Sequence, residues 1–146
     1  MKQLAKFSNL TSSERRLLVS ALFRLVAVRV GMWVIPFRVL LRCLHKMAVE
    51  RDRLRGNNPL PPERIAWAIR VVSRYLPGTM NCLVQALATQ SMLARRGHPS
   101  RVRIGVAKDE GGQHKAHAWV ECEGKIVIGG VGMSQYTALP YWEVQC

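Results

Sequence analysis

Thr79-Met80-Asn81-Cys82-Leu83-Val84-Gln85-Ala86-Leu87 decides how this chain is read. Pro77-Gly78 breaks the backbone just before it, and Thr79 or Asn81 can cap a helix that starts there. Either start puts Cys82 in the first helical turn. The positive end of the helix dipole favours an anion at that place, so a thiol there is suited to react as a thiolate. Thirty-five residues later, Ala116-His117-Ala118-Trp119-Val120 carries a histidine in a strand-like run. A cysteine on a helix and a distant histidine on a strand, joined by folding, form the pattern of a thiol nucleophile with an imidazole base.

Working outward, the Cys82 helix runs along Leu83, Ala86, Leu87 and Ala94, with Gln90 interrupting its apolar side, and ends at Arg95-Arg96-Gly97. Upstream, Ile65, Ile69, Val72 and Leu76 mark one face of another helix, which Trp67, Val71 and Tyr75 widen. Gly56-Asn57-Asn58-Pro59-Leu60-Pro61-Pro62 is the one clear linker. Before it, Thr11-Ser12-Ser13-Glu14 has the form of a capping box ahead of Leu17, Ala21, Leu25 and Val28. That helix is expected to end near Gly31. A second one fits Phe37 to Ala48. Both carry arginines, read as basic outer faces over a core.

Downstream the period changes from helical to alternating. Arg101 to Val106 reads as a half-buried strand, Lys108 to Gln113 as a loop and Lys115 to Cys122 as a strand. Glu123-Gly124 is a tight turn into Lys125 to Ile128. Tyr136 to Leu139 and Tyr141-Trp142 fit a last strand or an aromatic lid. Helices followed by a small antiparallel sheet predict an α+β fold. Residues 1–60 are read as a basic helical region and residues 61–146 as the catalytic core, the two forming one compact unit.

The 146-residue chain is 49% hydrophobic and 21% charged, the balance of a globular domain. Its net charge of +13 is uneven: residues 1–60 hold 12 Lys/Arg against 3 acids, and residues 61–146 hold 10 against 6. Such a surface suits an acidic peptide, an anionic membrane face or nucleic acid. No nucleic-acid-binding motif is present, so nucleic acid is not expected as a partner. The first apolar run is interrupted by Arg24, Arg29 and Arg38. An arginine in mid-bilayer costs at least ~2.5 kcal/mol, so a spanning helix is not expected, while peripheral membrane contact stays open. Cys43, Cys82, Cys122 and Cys146 show no metal-ligand spacing. With no secretory signal, a cytoplasmic protein with reduced thiols is expected, needing no metal or cofactor.

Around Cys82, its own N–H is a candidate oxyanion donor, and Gln85 lies one turn along the same face. Small neighbours leave room for the His117 ring, and Trp119 shares its strand face and can wall the site from water. His114 is the rival base; His45 and His98 are weaker. The group orienting His117 is not assigned. A two-residue turn at Glu123-Gly124 sets Trp119 opposite Ile128, Ala118 opposite Gly129 and His117 opposite Gly130, so no acid stands where a triad needs one. Glu121 is roughly 13 Å away along the strand. Asp109, Glu143, Gln135 or a backbone carbonyl remain possible.

Asn81 to Leu87, Leu93-Ala94-Arg95-Arg96-Gly97, Ile104-Gly105-Val106 and Ala116 to Glu121 follow in order. Together they resemble the transglutaminase-like leader peptidases of lasso peptide biosynthesis, the microcin-processing cysteine proteases. The likeness covers residues 62–130 closely and the N-terminal helices more loosely. It implies a papain/transglutaminase-like core and a Cys-His-Asp site that cuts the leader from a ribosomal precursor peptide. Cys82 carries over as nucleophile and His117 as base; the Asp meets no acid at Gly129 or Gly130. In that family an ATP-dependent lactam synthetase closes the released core peptide. With no room for a fused recognition domain before residue 11, the chain resembles the stand-alone type, which uses a separate leader-recognition protein. The basic N-terminal half is then a docking face for that protein, the synthetase or the leader. Two other readings are a thiol acyltransferase, with an amine in place of water, and a non-catalytic basic scaffold.

Overall fold

A computed structural model describes residues 10–40, 42, 43, 46, 60–77, 81–130, 136–138, 144 and 145. Three long helices come first: α1 (Ser12–Val34), α2 (Pro62–Tyr75) and α3 (Cys82–Arg95). Strands β1 (Ser100–Lys108), β2 (His114–Cys122) and β3 (Lys125–Ile128) follow, with two-residue strands β4 (Thr137–Ala138) and β5 (Val144–Gln145). The fold is α+β, as the order of periodicities predicts. The antiparallel sheet runs β3-β2-β1-β4, and β5 also pairs with β1.

The capping box at the start of α1 is formed. Thr11 Oγ1 accepts from the Glu14 N–H at 3.4 Å, and Glu14 Oε2 accepts from the Thr11 N–H at 2.9 Å. Leu17, Leu18, Ala21, Leu25 and Val28 turn inward, and α1 packs on both α2 and α3. Two expectations for this helix are corrected. It passes Gly31 and ends at Val34, because Gly31 lets Leu40 of the following helical turn pack close: a Cβ there would sit 2.9 Å from Leu40 Cδ1. Arg24 is not on an outer face. It is 7% exposed, and its Nη1 donates to Ser91 Oγ on α3 at 3.0 Å. By length and mean hydropathy (1.9), α1 could cross a bilayer, but its inward face and Arg24 are engaged by the protein itself. The linker at 56–59 lies outside the described residues, as do positions 41, 44, 45, 47 and 48 of the helix expected from Phe37 to Ala48; 37–40, 42, 43 and 46 are helical, as expected.

Helix α3 is the centre of the molecule. Every residue from Ala86 to Ala94 is buried, and it contacts both other helices and β1, β2 and β3. Its polar residues bond internally. Thr89 Oγ1 donates to the Gln85 carbonyl at 2.7 Å, Gln90 Nε2 to the Ser100 carbonyl at 3.4 Å, and Ser91 accepts from Arg24. Gln90 therefore sits inside the core, on the apolar side it interrupts in the sequence. The helix closes with a Schellman pair, Gly97 N–H to Ala94 O and His98 N–H to Leu93 O.

In the sheet, β1 and β2 pair from Ser100↔Cys122 to Lys108↔His114 without a slip, which sets Gly105 opposite His117. The hairpin β2–β3 departs from the simple register. Cys122 pairs with Lys125 and Glu121 with Ile126, but Val120 pairs with Ile128. Val127 is the extra residue of a bulge, and Arg70 Nη2 of α2 donates to its carbonyl at 2.6 Å. The expected pairing of Trp119 with Ile128 is thus shifted by one, and Gly129 lies against Trp119 instead.

Candidate functional site

Cys82 is the first residue of α3, after Asn81 at the N-cap. The Asn81 side chain makes no capping bond, while its carbonyl takes the first helical N–H, from Gln85, at 3.2 Å. The N–H groups of Cys82, Leu83 and Val84 precede that bond and so belong to the helix's orphan donors. They stand ready for negative charge that forms beside Cys82, where the dipole adds to their effect. Thr79 lies outside the described residues.

The sheet brings His117 to the same place. Cys82, Gln85, His117, Ala118, Ile128 and Gly129 line one cavity of about 230 Å³. Three of the four residues singled out from the sequence thus share a hollow between the N-terminus of α3 and the β2–β3 hairpin. Trp119 is not among the lining residues. It is buried, its ring centroid is 6.3 Å from that of His117, and its Nε1–H donates to Glu121 Oε1 at 3.1 Å. Tyr136 stands nearer, with its ring 5.0 Å from the His117 ring. Two aromatic rings therefore brace the imidazole at distances typical of aromatic pairs.

Gly105 makes that brace possible. A Cβ at this position would lie 2.9 Å from Trp119 Cζ3 and 2.9 Å from Tyr136 Cβ. Only a residue without a side chain lets both rings meet over the strand opposite His117.

The ring is oriented by main chain. His117 Nε2 is 2.7 Å from the Gly129 carbonyl oxygen. A carbonyl only accepts, so Nε2 carries the hydrogen and, in the neutral ring, Nδ1 keeps the lone pair. The bulge at Val127 and the positive φ of Gly129 (80°) turn that carbonyl toward the ring. An acid could not replace it in cis: a Cβ on Gly129 would come 2.6 Å from the Ala118 carbonyl oxygen.

The other candidates sit elsewhere. Asp109 serves its own turn, accepting from the Gly111 and Gln113 N–H groups at 2.9 Å each. The Gln113 N–H foremost, with Gly111 and the Lys115 ammonium, holds its carboxyl below the usual range against the opposing effect of desolvation. Glu121 takes the Trp119 indole and stands 4.0 Å from Arg103. His114 is exposed at the start of β2, and His98 Nε2 bonds the Leu60 carbonyl at 2.8 Å. His45, Gln135 and Glu143 lie outside the described residues. The sequence reading missed Tyr136 as a partner of His117; the only signal was its place beside a strand-forming pair, Thr137-Ala138.

This arrangement supports acyl chemistry on sulfur. A thiol, a base with a defined free nitrogen and a row of N–H donors face one small cavity. Searches of curated proteins and of solved structures returned no match. A comparison with protein families matches residues 17–140 to the Transglutaminase-like superfamily, a span that takes in α1 from Leu17 onward, all of α2 and α3, and β1 to β4. The chain belongs to the transglutaminase-like superfamily.

Proposed function

We propose that the protein is a cysteine peptidase that removes the leader from a lasso-type ribosomal precursor peptide in the cytoplasm. Membership of the superfamily supports cysteine-based peptidase or acyltransferase activity. The observation that carries the catalytic reading is the cavity shared by Cys82 and His117, with the His117 tautomer fixed by Gly129. The leader-peptidase reading rests on the ordered likeness of Asn81 to Leu87 and Ala116 to Glu121 to that family.

In the first half-reaction the Cys82 sulfur attacks the scissile carbonyl carbon and His117 Nδ1 takes the thiol proton. The first-turn N–H groups of α3 receive the oxyanion. The C–N bond then breaks, and the imidazolium gives its proton to the departing amine. In the second, water loses a proton to His117 and attacks the thioester, releasing the carboxylate product and the thiol. Gln85 lines the cavity beside the nucleophile and contacts the acyl group.

The separate leader-recognition protein docks on α1. That helix exposes Val19, Phe23, Val26, Val30 and Trp33, the last 91% accessible, along one side. Arg16, Arg38 and Arg42 are exposed nearby in a half that carries most of the chain's positive charge, which fits a partner with an apolar patch and an acidic rim. The lactam synthetase acts on the released core peptide.

The test is cleavage of the precursor with the recognition protein present, read by mass spectrometry. Wild-type protein is expected to give two fragments whose masses sum to precursor plus water, and Cys82→Ala or His117→Ala none, with folding retained. Cleavage by Cys82→Ala would overturn the reading. A product carrying an added amine in place of water would favour the acyltransferase.

A further inference from the structure

At the end of the sheet away from the catalytic hairpin contact, a second group of reactive side chains converges. His98 Nδ1, Cys122 Sγ and a Glu123 carboxylate oxygen all lie within 4.8 Å of one another. His98 comes from the connection between α3 and β1, Cys122 from the last position of β2, and Glu123 from the β2–β3 turn. His98 Nδ1 is 3.8 Å from Glu123 Oε1. None of the three lines the Cys82 cavity.

The orientation of His98 is specific. Its Nε2 lies 2.8 Å from the Leu60 carbonyl oxygen, so Nε2 carries the hydrogen and Nδ1 presents its lone pair to Cys122 and Glu123. A histidine whose far nitrogen donates to a backbone carbonyl is the usual support of a metal ligand. Cys122 is 3% exposed and forms no disulfide. Its cross-strand partner is Ser100, so the two side chains share one face of the sheet with Cβ atoms roughly 5 Å apart. Ser100 is 4% exposed, and its hydroxyl has no hydrogen-bond partner among the described residues. A buried hydroxyl left in this state calls for a ligand or a water. The carboxylates of Glu123 and Glu63 both lie close enough to act on the Cys122 sulfur, with Lys125 as its cross-strand partner on β3.

We propose that His98, Cys122 and Glu123 form a binding site for a divalent ion of the zinc class, with a water held beside the Ser100 hydroxyl in the fourth position. A thiolate, an imidazole and a carboxylate match zinc, whereas magnesium and calcium take oxygen ligands. Ligand bonds of about 2.0–2.3 Å put tetrahedral ligand atoms roughly 3.3–3.8 Å apart. Glu123, 65% exposed in its side chain, has the freedom to close the remaining distance. Binding replaces the Cys122 S–H bond with a sulfur–metal bond and releases one proton. The ion ties the β2–β3 turn to the α3–β1 connection and, through His98 Nε2, to Leu60 ahead of α2. That hairpin also carries Gly129, so the site holds the scaffold of the His117 brace without touching the reaction.

The test is titration of the full chain, stripped with chelator, with cobalt(II) as probe. One equivalent is expected to give ligand-field bands of four-coordinate cobalt and a sulfur-to-metal charge-transfer band, both removed by added zinc. Cys122→Ser is expected to lose the charge-transfer band, and Cys82→Ala to keep it. If Cys122→Ser fails to fold, His98→Gln and Glu123→Gln carry the test, each expected to weaken binding at least tenfold. Absence of a cobalt spectrum with wild-type protein at micromolar metal would overturn the proposal. So would a charge-transfer band that survives His98→Gln and Glu123→Gln but is lost in Cys82→Ala.

Discussion

His117 Nε2 stands 2.7 Å from the carbonyl oxygen of Gly129, a residue whose φ is 80° and which has no room for a side chain. Main chain thus does for this imidazole what a carboxylate does in a Cys-His-acid triad: it fixes the tautomer. It adds no full negative charge, so the imidazolium formed during catalysis is stabilised by a dipole alone.

Gly129→Ala is expected to cost about 2–4 kcal/mol of stability, from the left-handed φ and a Cβ at 2.6 Å from the Ala118 carbonyl. Gly129→Asp is expected to fail in the same way rather than complete a triad. Gly130→Ala is the control, because among the described residues its Cβ would meet only the Ile126 side chain, at 3.2 Å. Urea unfolding and turnover of the three variants check this; a stable, active Gly129→Asp would show that the position has room for a side chain after all.

Arg70 reaches the same site from below. Its bond to the Val127 carbonyl satisfies the residue that the bulge leaves out of the ladder, and the bulge sets where Gly129 falls. Arg70→Met is expected to lower kcat about tenfold with a smaller change in KM, and Arg70→Lys to recover part of it. An equal rise in KM with kcat intact would assign Arg70 to substrate binding instead.

Gly105→Ala tests the aromatic brace. Its methyl would press on Trp119 and Tyr136 at 2.9 Å each, so about 1–3 kcal/mol of stability should be lost along with much of the activity. Stability lost with full turnover would mean the rings support the sheet and not the imidazole.

These dependencies explain what could be read in advance. The capping box at Thr11 and Glu14, the helix stop at Gly97 and the turn at Glu123-Gly124 are local, and their residue types state their purpose. The placement of Cys82 at a helix start follows from the break before it. The bulge is not local: it depends on Arg70 reaching Val127 across 57 positions. The Gly129 carbonyl had no signature, because every residue has one. Gln90 interrupts the apolar side of α3 in the sequence, and only the Ser100 carbonyl, brought up by the fold, shows how it is accommodated there, as Arg24 does for Ser91.

Thiol labelling separates the cysteines by environment. Cys122 is 3% exposed, and burial foremost, then the charges of Glu123 and Glu63, push its thiol up. Less of it is thiolate at any given pH than of an ordinary cysteine, so iodoacetamide should modify it slowly at neutral pH and faster only in alkali. Half-buried Cys82 should react well before it, and His117→Ala should slow Cys82 while leaving Cys122 unchanged. The raised thiol also makes metal-free protein less stable as pH rises through the unfolded thiol's range, where the unfolded chain releases its proton first. Labelling of Cys122 as fast as Cys82 at neutral pH would contradict the buried placement.

Arg24 carries the last prediction. Its guanidinium is buried between α1 and α3, with Nη1 on Ser91 and Nε lacking a partner among the described residues. Taking that charge out of water costs several kcal/mol, and one neutral hydroxyl returns only part of it. A methionine of similar length keeps the packing and removes the charge, so Arg24→Met is expected to be neutral or to stabilise by about 1–4 kcal/mol. Ser91→Ala leaves the charge in place without its acceptor and is expected to cost about 1–3 kcal/mol. Urea unfolding of both variants and the double variant decides it. Arg24→Met that destabilises more than Ser91→Ala would mean the guanidinium finds further stabilisation, and that the α1–α3 contact depends on its charge.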